Sequence, residues 1–418
     1  MASHTIQAVS PLAASLTPSM HPGMGPVILV KAGGAAITHK NAASPSVCWP
    51  RVWTAVQLIA ALRAAGAVPV LVHGAGSFGH AHAKAWGLAS PQSSDEPADA
   101  AQRRMAAVLT HSVVKQLSDH MVHACMQLGI PAVSVPAMPL PITTHGGRQQ
   151  LSPGSLDAVL ACITPMLQAG YVPVLHGDAV RDLDAAWDSS ILSGDTLLWQ
   201  LAAPLRARAI VLLSDVPCLF TACPTAAQKL APCGCALQSS ASAELTSPAT
   251  PPTVSQATRI AQVLVAPGTS ATDFHIERML QSDGSACTMQ TASEATAAAV
   301  PDVTGGVQSK LESAALAALA CSPPAVTSII GCDTESTRAW FSAVLGEEAC
   351  AWPSLPASLK VHSSAANPAC CPPGPLHDVP YIAPAVGSAA LHSRLWQAAK
   401  DTTALAASTP GTHVSIAQ

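Results

Sequence analysis

The sequence predicts an α/β fold, a three-layer αβα sandwich built on a predominantly parallel sheet. Three features of the 418-residue chain carry this. Short apolar runs of strand length alternate with stretches of helical length. The runs are apolar throughout instead of at every second residue, as strands covered on both faces are. Several of them open straight into glycine-rich turns, which in a parallel sheet gather at the carboxyl ends of the strands.

In chain order, Pro26-Val27-Ile28-Leu29-Val30 is the first strand and residues 52–65 form a helix. A strand over 68–72 leads into a glycine loop and a further helix. A long helix follows over about 100–128, in which Met105, Val108, Leu109, Val113, Leu117, Met121 and Val122 recur at helical spacing and read as a core-facing stripe. A strand over 132–135, a helix over 156–168 and strands over 172–175 and 209–213 come next. An alanine-rich helix begins at about Leu311.

The chemistry concentrates in the turns. In Leu71-Val72-His73-Gly74-Ala75-Gly76-Ser77-Phe78-Gly79-His80 an apolar strand opens into a glycine loop that ends in histidine. Glycines let successive N–H groups converge on one point, and the following helix turns its positive end toward it. Alone, such a loop fits a plain strand-to-helix turn as well as a phosphate cradle. Three further segments favour the cradle. Lys31-Ala32-Gly33-Gly34-Ala35-Ala36-Ile37-Thr38-His39-Lys40 sets lysine at a strand end beside paired glycines. His176-Gly177-Asp178 is followed by Ser193-Gly194-Asp195, and Val303-Thr304-Gly305-Gly306-Val307-Gln308-Ser309-Lys310 again joins glycines to a lysine. Lysines and backbone donors suit phosphoryl transfer, which needs positioning and charge neutralisation more than covalent machinery.

Composition bounds the rest. Charged residues make up 11% of the chain, against roughly 25% in an average soluble protein. Alanine, serine and proline fill the difference, so two stretches, at about 221–300 and 350–410, read as low-complexity insertions in one domain over 26–418. Residues 258–265 and 272–280 keep short structured pieces within the first. Residues 1–25 read as a disordered tail; they contain no arginine or lysine, which favours a cytoplasmic protein over one with a chloroplast transit peptide. The net charge of −4 and the absence of a basic stripe exclude a nucleic-acid partner. No apolar run reaches the roughly 18 residues of a spanning helix, so no membrane partner is expected. Thirteen cysteines without a regular framework suggest a reducing compartment. Cys218, Cys223, Cys233 and Cys235 lack paired C-x-x-C knuckles, so no metal-ligand set is assigned.

With these segments in this order, the chain resembles the isopentenyl phosphate kinases of the amino acid kinase superfamily. Members carry a K-x-G-G-S-x-x-T-D-K start, an H-G-G-G-S-F-G-H loop, a G-D-x-V then S-G-D-D pair, a T-D-V-D-G-V strand end and a D-V-T-G-G-M-x-x-K segment. The counterparts are residues 31–40, 73–80, 177–180 with 193–195, 214–219 and 302–310. Ala75 stands for a loop glycine, Ala35 for serine, His39 for aspartate, Thr196 for the second aspartate, and Pro217 and Cys218 for aspartate and glycine. Ala75 keeps its N–H but must avoid positive φ.

The resemblance implies the amino acid kinase fold, ATP and Mg2+ as cofactors, isopentenyl phosphate as the small-molecule substrate and a homodimer. By the same resemblance, Lys31, Ala32, Gly33, Gly34, Ala35, Gly76, Asp215, Gly305 and Lys310 face ATP, while Gly74, Ala75, His80 and Gly194 hold the acceptor. His80, Lys31, Lys40, Asp195 and Lys310 would serve catalysis, Asp195 by ordering the lysines. Part of the long helix would line the prenyl pocket. Two readings stay open beside this one: a kinase of the same superfamily acting on another small phosphate, phosphonate or carboxylate, and a catalytically silent binding homologue.

Overall fold

A computed structural model describes residues 24–39, 44–91, 97–138, 142–143, 151–152, 154–220, 230, 259–268, 274–288, 306–322, 324–346, 352–355 and 389–416. Strand β1 (Val27–Ala32) is buried along its whole length. It pairs in parallel with β2 (Val68–His73) on one side and β8 (Ala209–Ser214) on the other. Beyond β2 lie β5 (Val172–His176) and β3 (Ala132–Val135), both parallel. Beyond β8 lies β14 (Val326–Gly331), parallel, and then β15 (Gly411–Ile416), antiparallel. The chain runs outward from β1 on both sides, so the boundary between β1 and β8 is a topological switch point, where parallel sheets open a crevice at their carboxyl ends.

Alternate residues of these strands face two apolar layers, which makes the sandwich three layers thick as the sequence predicts. Ile28, Val30, Leu71 and Val211 pack with helices Trp49–Ala64, Pro97–Gln127 and Thr334–Leu345. Val27, Leu29, Val72 and Leu212 pack with helices Ser155–Gln168, Gly194–Ala202 and Gly306–Ala320. A smaller sheet is formed by β4 (Ile142–Thr143), β6 (Asp178–Asp182) and β7 (Ser189–Leu192), and β9 (Leu219–Phe220) pairs antiparallel with β10 (Arg259–Ile260).

Parts of both low-complexity stretches belong to the fold. Within 221–300, β11 (Gln262–Pro267) pairs in parallel with β15, and β12 (Phe274–Leu280) and β13 (Ala286–Cys287) extend the same sheet. The short structured pieces expected at 258–265 and 272–280 are these strands. Within 350–410, helices Ala389–Lys400 and Thr402–Ser408 bury Leu391, Leu395 and Leu405 in the core. In each case a few buried residues, such as Val263 and Val265, anchor a segment whose surrounding composition hides them. The tail 1–23 and most of the rest of both stretches lie outside the described residues. Excising residues 259–288 is expected to destabilise the protein by several kcal/mol, since Ile260, Val263 and Val265 are fully buried and each contributes roughly 1.5–3 kcal/mol. Thermal melting checks this; an unchanged midpoint would contradict it.

In the long helix Leu117 and Met121 of the expected stripe are buried, but the first half turns a different face to the core than its larger side chains predict. Met105, Val108 and Leu109 are 60%, 51% and 43% exposed. The buried face is Ala106, Ala107, Thr110, Val114, Leu117, Met121, Ala124 and Cys125, again at helical spacing. Small side chains let this helix lie close to helix Gly76–Ala85: a Cβ at Gly79 would come within 2.8 Å of Val114 Cγ2. Six described cysteines are free thiols. Cys48 is disulfide-bonded, which the absence of a cysteine framework does not anticipate. Among the described residues no cluster of three or more His, Cys, Asp or Glu side chains is placed to hold a metal ion; Cys223, Cys233 and Cys235 lie outside them.

Candidate active site

The loops that follow β1, β2, β5 and β8 meet at the crevice. Gly33 leaves β1 and donates its N–H to Leu213 O of β8 at 2.9 Å, closing the switch point. Gly34 then packs against the loop after β2. A Cβ on Gly34 would lie 2.3 Å from Gly76 N, and one on Gly74 would lie 2.6 Å from Gly34 N, so no side chain fits at either position. Thr38 locks the two loops together: its hydroxyl donates to Gly34 O at 2.7 Å and accepts from Ser77 N at 2.9 Å. Gly76 has φ +53°, a left-handed conformation that favours glycine. Ala75 has φ −68° and ψ −28°, so its methyl group enters the loop without backbone strain, as that substitution requires.

Lys31 and Asp195 form the charged centre. Lys31 Nζ lies 2.5 Å from Asp195 Oδ2, with the two side chains 7% and 8% exposed. Asp195 opens helix Gly194–Ala202, which Ser193 caps by accepting from Asp195 N at 3.1 Å. Asp195 Oδ1 is buried with no hydrogen-bond partner among the described residues. Gly194 lies against this pair, its Cβ position 3.5 Å from Lys31 Cε and 3.1 Å from His73 O. Gly177, after β5, packs on Gly194 from the other side, with its Cβ position 2.6 Å from Gly194 N.

The structure therefore brings together Lys31, Gly33, Gly34, Gly74, Ala75, Gly76, Gly194 and Asp195 among the residues singled out in sequence. Ala32 is buried at the end of β1 and Ala35 lies in the short helix Gly34–Ile37. His80 stands in the second turn of helix Gly76–Ala85, partly exposed. Asp215 follows β8, where Ser214 Oγ donates to its Oδ1 at 3.4 Å. Lys310 stands in the second turn of helix Gly306–Ala320, whose Leu311 shares an apolar layer with Leu197 and Leu201 of helix Gly194–Ala202. Lys40 and Gly305 lie outside the described residues.

Sequence reasoning misses the role of the buried histidines at the ends of these strands. His73 and His176 are register partners at the ends of β2 and β5, stacked at 5.2 Å and fully buried. Burial pushes each imidazole down to about 4. Each approaches the carbonyl of its following glycine through Nδ1, at 3.1 and 3.4 Å, so Nδ1 carries the proton. His413 of β15, held between Ser328 and Thr409, is pushed by burial down to about 3. These rings are neutral in the fold but charge near pH 6.5 when unfolded. The unfolded chain thus binds more protons below that pH, so stability is complete above about 6.5 and falls as pH drops toward 4, by several kcal/mol in all. Urea midpoints measured from pH 7 to pH 4.5 check this; a flat profile would contradict neutral buried rings.

The profile of the amino acid kinase family matches residues 26–232. Isopentenyl phosphate kinase of Methanothermobacter thermautotrophicus is 33% identical over 198 residues, covering 47% of this chain and 70% of that protein. The chain belongs to the amino acid kinase family. A second relative, isopentenyl phosphate kinase of Haloferax volcanii, is 32% identical over 191 residues, covering 46% of this chain and 70% of that one. A solved structure of isopentenyl phosphate kinase is 31% identical, with a TM-score of 0.42, covering 47% of this chain and 74% of its own. As an amino acid kinase the protein is a phosphotransferase, and the matched segment carries Lys31, both interlocked glycine loops and Asp195. Strands β11–β15 and Lys310 lie beyond it. Among the described residues no helix is long and apolar enough to cross a membrane.

Proposed function

We propose that the protein transfers the γ-phosphoryl group of ATP to isopentenyl phosphate, giving isopentenyl diphosphate and ADP. The observation that carries this reading is the buried Lys31–Asp195 pair set against two interlocked glycine loops, the second of which leads into the helix that carries His80. The likeness to two isopentenyl phosphate kinases supports the choice of acceptor.

The residues fit a nucleoside triphosphate with a divalent cation. Side chains are excluded at Gly34 and Gly74, which lets the two loops pack backbone to backbone, and Asp195 Oδ1 is buried with no hydrogen-bond partner among the described residues. Magnesium, when bound, offsets charge on the phosphate oxygens. Lys31, Gly33, Gly34, Gly76, Asp215 and Lys310 would face ATP. Asp195 holds the Lys31 ammonium where charge develops on the transferred group. Gly74, Ala75, Gly194 and His80 would hold the acceptor phosphate. That oxygen is already anionic near pH 7, so the site needs no strong general base. In this reading the enzyme works in the cytoplasm as a homodimer, for which the exposed Met105, Val108 and Leu109 offer apolar area.

An ATP-coupled assay across isopentenyl phosphate, dimethylallyl phosphate and small carboxylates tests the reading. Preference for isopentenyl phosphate is expected. Preference for a carboxylate would transfer the site to another small anion, and no turnover with any acceptor would mark a silent homologue.

A further inference from the structure

His111 and Asp178 lie 67 residues apart in sequence and meet side chain to side chain. His111 comes from helix Pro97–Gln127, and its Nδ1 lies 2.6 Å from Asp178 Oδ2. Asp178 is the first residue of β6, directly after Gly177, and its side chain is fully buried. Its other oxygen accepts from Ala179 N at 2.8 Å. Gly177 in turn is pinned by its N–H on His73 O at 3.0 Å and packs on Gly194 N. One line of contact thus runs from His111 through Asp178 and Gly177 to Gly194, beside Lys31.

We propose that His111 is a positioning residue for the acceptor: in its protonated form it holds Asp178, and through it the Gly177 turn, against Gly194. This rests on the reading that the acceptor phosphate lies at Gly194. A buried carboxylate that loses its cationic partner must find other hydrogen bonds or move, and the first backbone it would move is Gly177. The groups that face His111 are Asp178 from β6, His176 from β5 at 6.4 Å between rings, and Lys115 from its own helix. His176 is neutral, and the hydrogen bond to Asp178 holds the His111 imidazole above its usual value while Lys115 opposes this. Acceptor affinity should therefore be highest at low pH and weaken as pH rises through the raised value.

Three variants test this: His111→Ala, His111→Asn, whose amide nitrogen stands where Nδ1 does, and Asp178→Asn. His111→Ala is expected to raise the KM for isopentenyl phosphate roughly tenfold while the KM for ATP stays within about twofold. His111→Asn keeps a neutral donor but not the charge, and should restore part of that affinity near pH 7. It should also flatten the rise of acceptor KM with pH; ionisation of the acceptor itself is common to both proteins and cancels in their ratio. Asp178→Asn should flatten the same profile. An unchanged acceptor KM in His111→Ala overturns the proposal, as do parallel losses in both KM values that His111→Asn does not restore. If His111→Ala does not fold, the pH profile of His111→Asn decides, and a profile matching wild type overturns it. Wild-type protein that phosphorylates a different acceptor sinks the isopentenyl phosphate reading alone, and the His111 comparison is then made with that acceptor.

Discussion

Lys31→Met is expected to lower turnover about a thousandfold, the scale seen when a preorganised charge is removed from a phosphoryl-transfer site. The pair it breaks is buried, at 2.5 Å and less than a tenth exposed. The variant leaves the Asp195 carboxylate buried without that cation, which costs roughly 3–5 kcal/mol of stability. Activity loss alone could then reflect partial unfolding, and the double variant Lys31→Met with Asp195→Asn separates the two effects. Removing both charges should restore most of the melting temperature and none of the turnover. Asp195→Asn alone should also depress turnover strongly, because the ammonium loses the carboxylate that places it. Rates near wild type in Lys31→Met would remove the lysine from the reaction.

His80→Ala is expected to lower turnover with isopentenyl phosphate by roughly 100- to 1,000-fold while ATP affinity changes little. His80 stands on a helix whose start is locked by Thr38 on Ser77 N and whose body is pressed onto the long helix at Gly79. The imidazole is therefore carried on a fixed support, and its removal takes away a donor without loosening the loop. Turnover near wild type, or an effect on ATP alone, would contradict a role toward the acceptor.

The central strands and the two glycine loops were legible because each was written in consecutive residues. β1 and β8 are continuous apolar runs with both faces covered, and the loops after β1 and β2 follow directly from them. Even the conformation demanded of Ala75 could be stated from its replacement of a glycine. What was hidden depends on partners distant in sequence. β11 is recognisable as a strand only beside β15, where Val263 sits opposite Val414 some 151 residues later. The buried face of the long helix is carried by Ala106 and Ala107, whose small side chains give no apolar signal beside Met105 and Leu109. The fit of Gly177 on Gly194 and of His111 on Asp178 likewise joins segments that no local pattern connects.

The most direct test of the account is phosphorus NMR of isopentenyl phosphate incubated with ATP, magnesium and the full-length protein. The phosphate signal of the acceptor should be replaced by two mutually coupled signals of a new diphosphate, formed at the rate that ADP appears, and Lys31→Met should abolish them. ATP turnover without a new phosphorus–phosphorus coupling, or the same signals at the same rate in Lys31→Met, would contradict it.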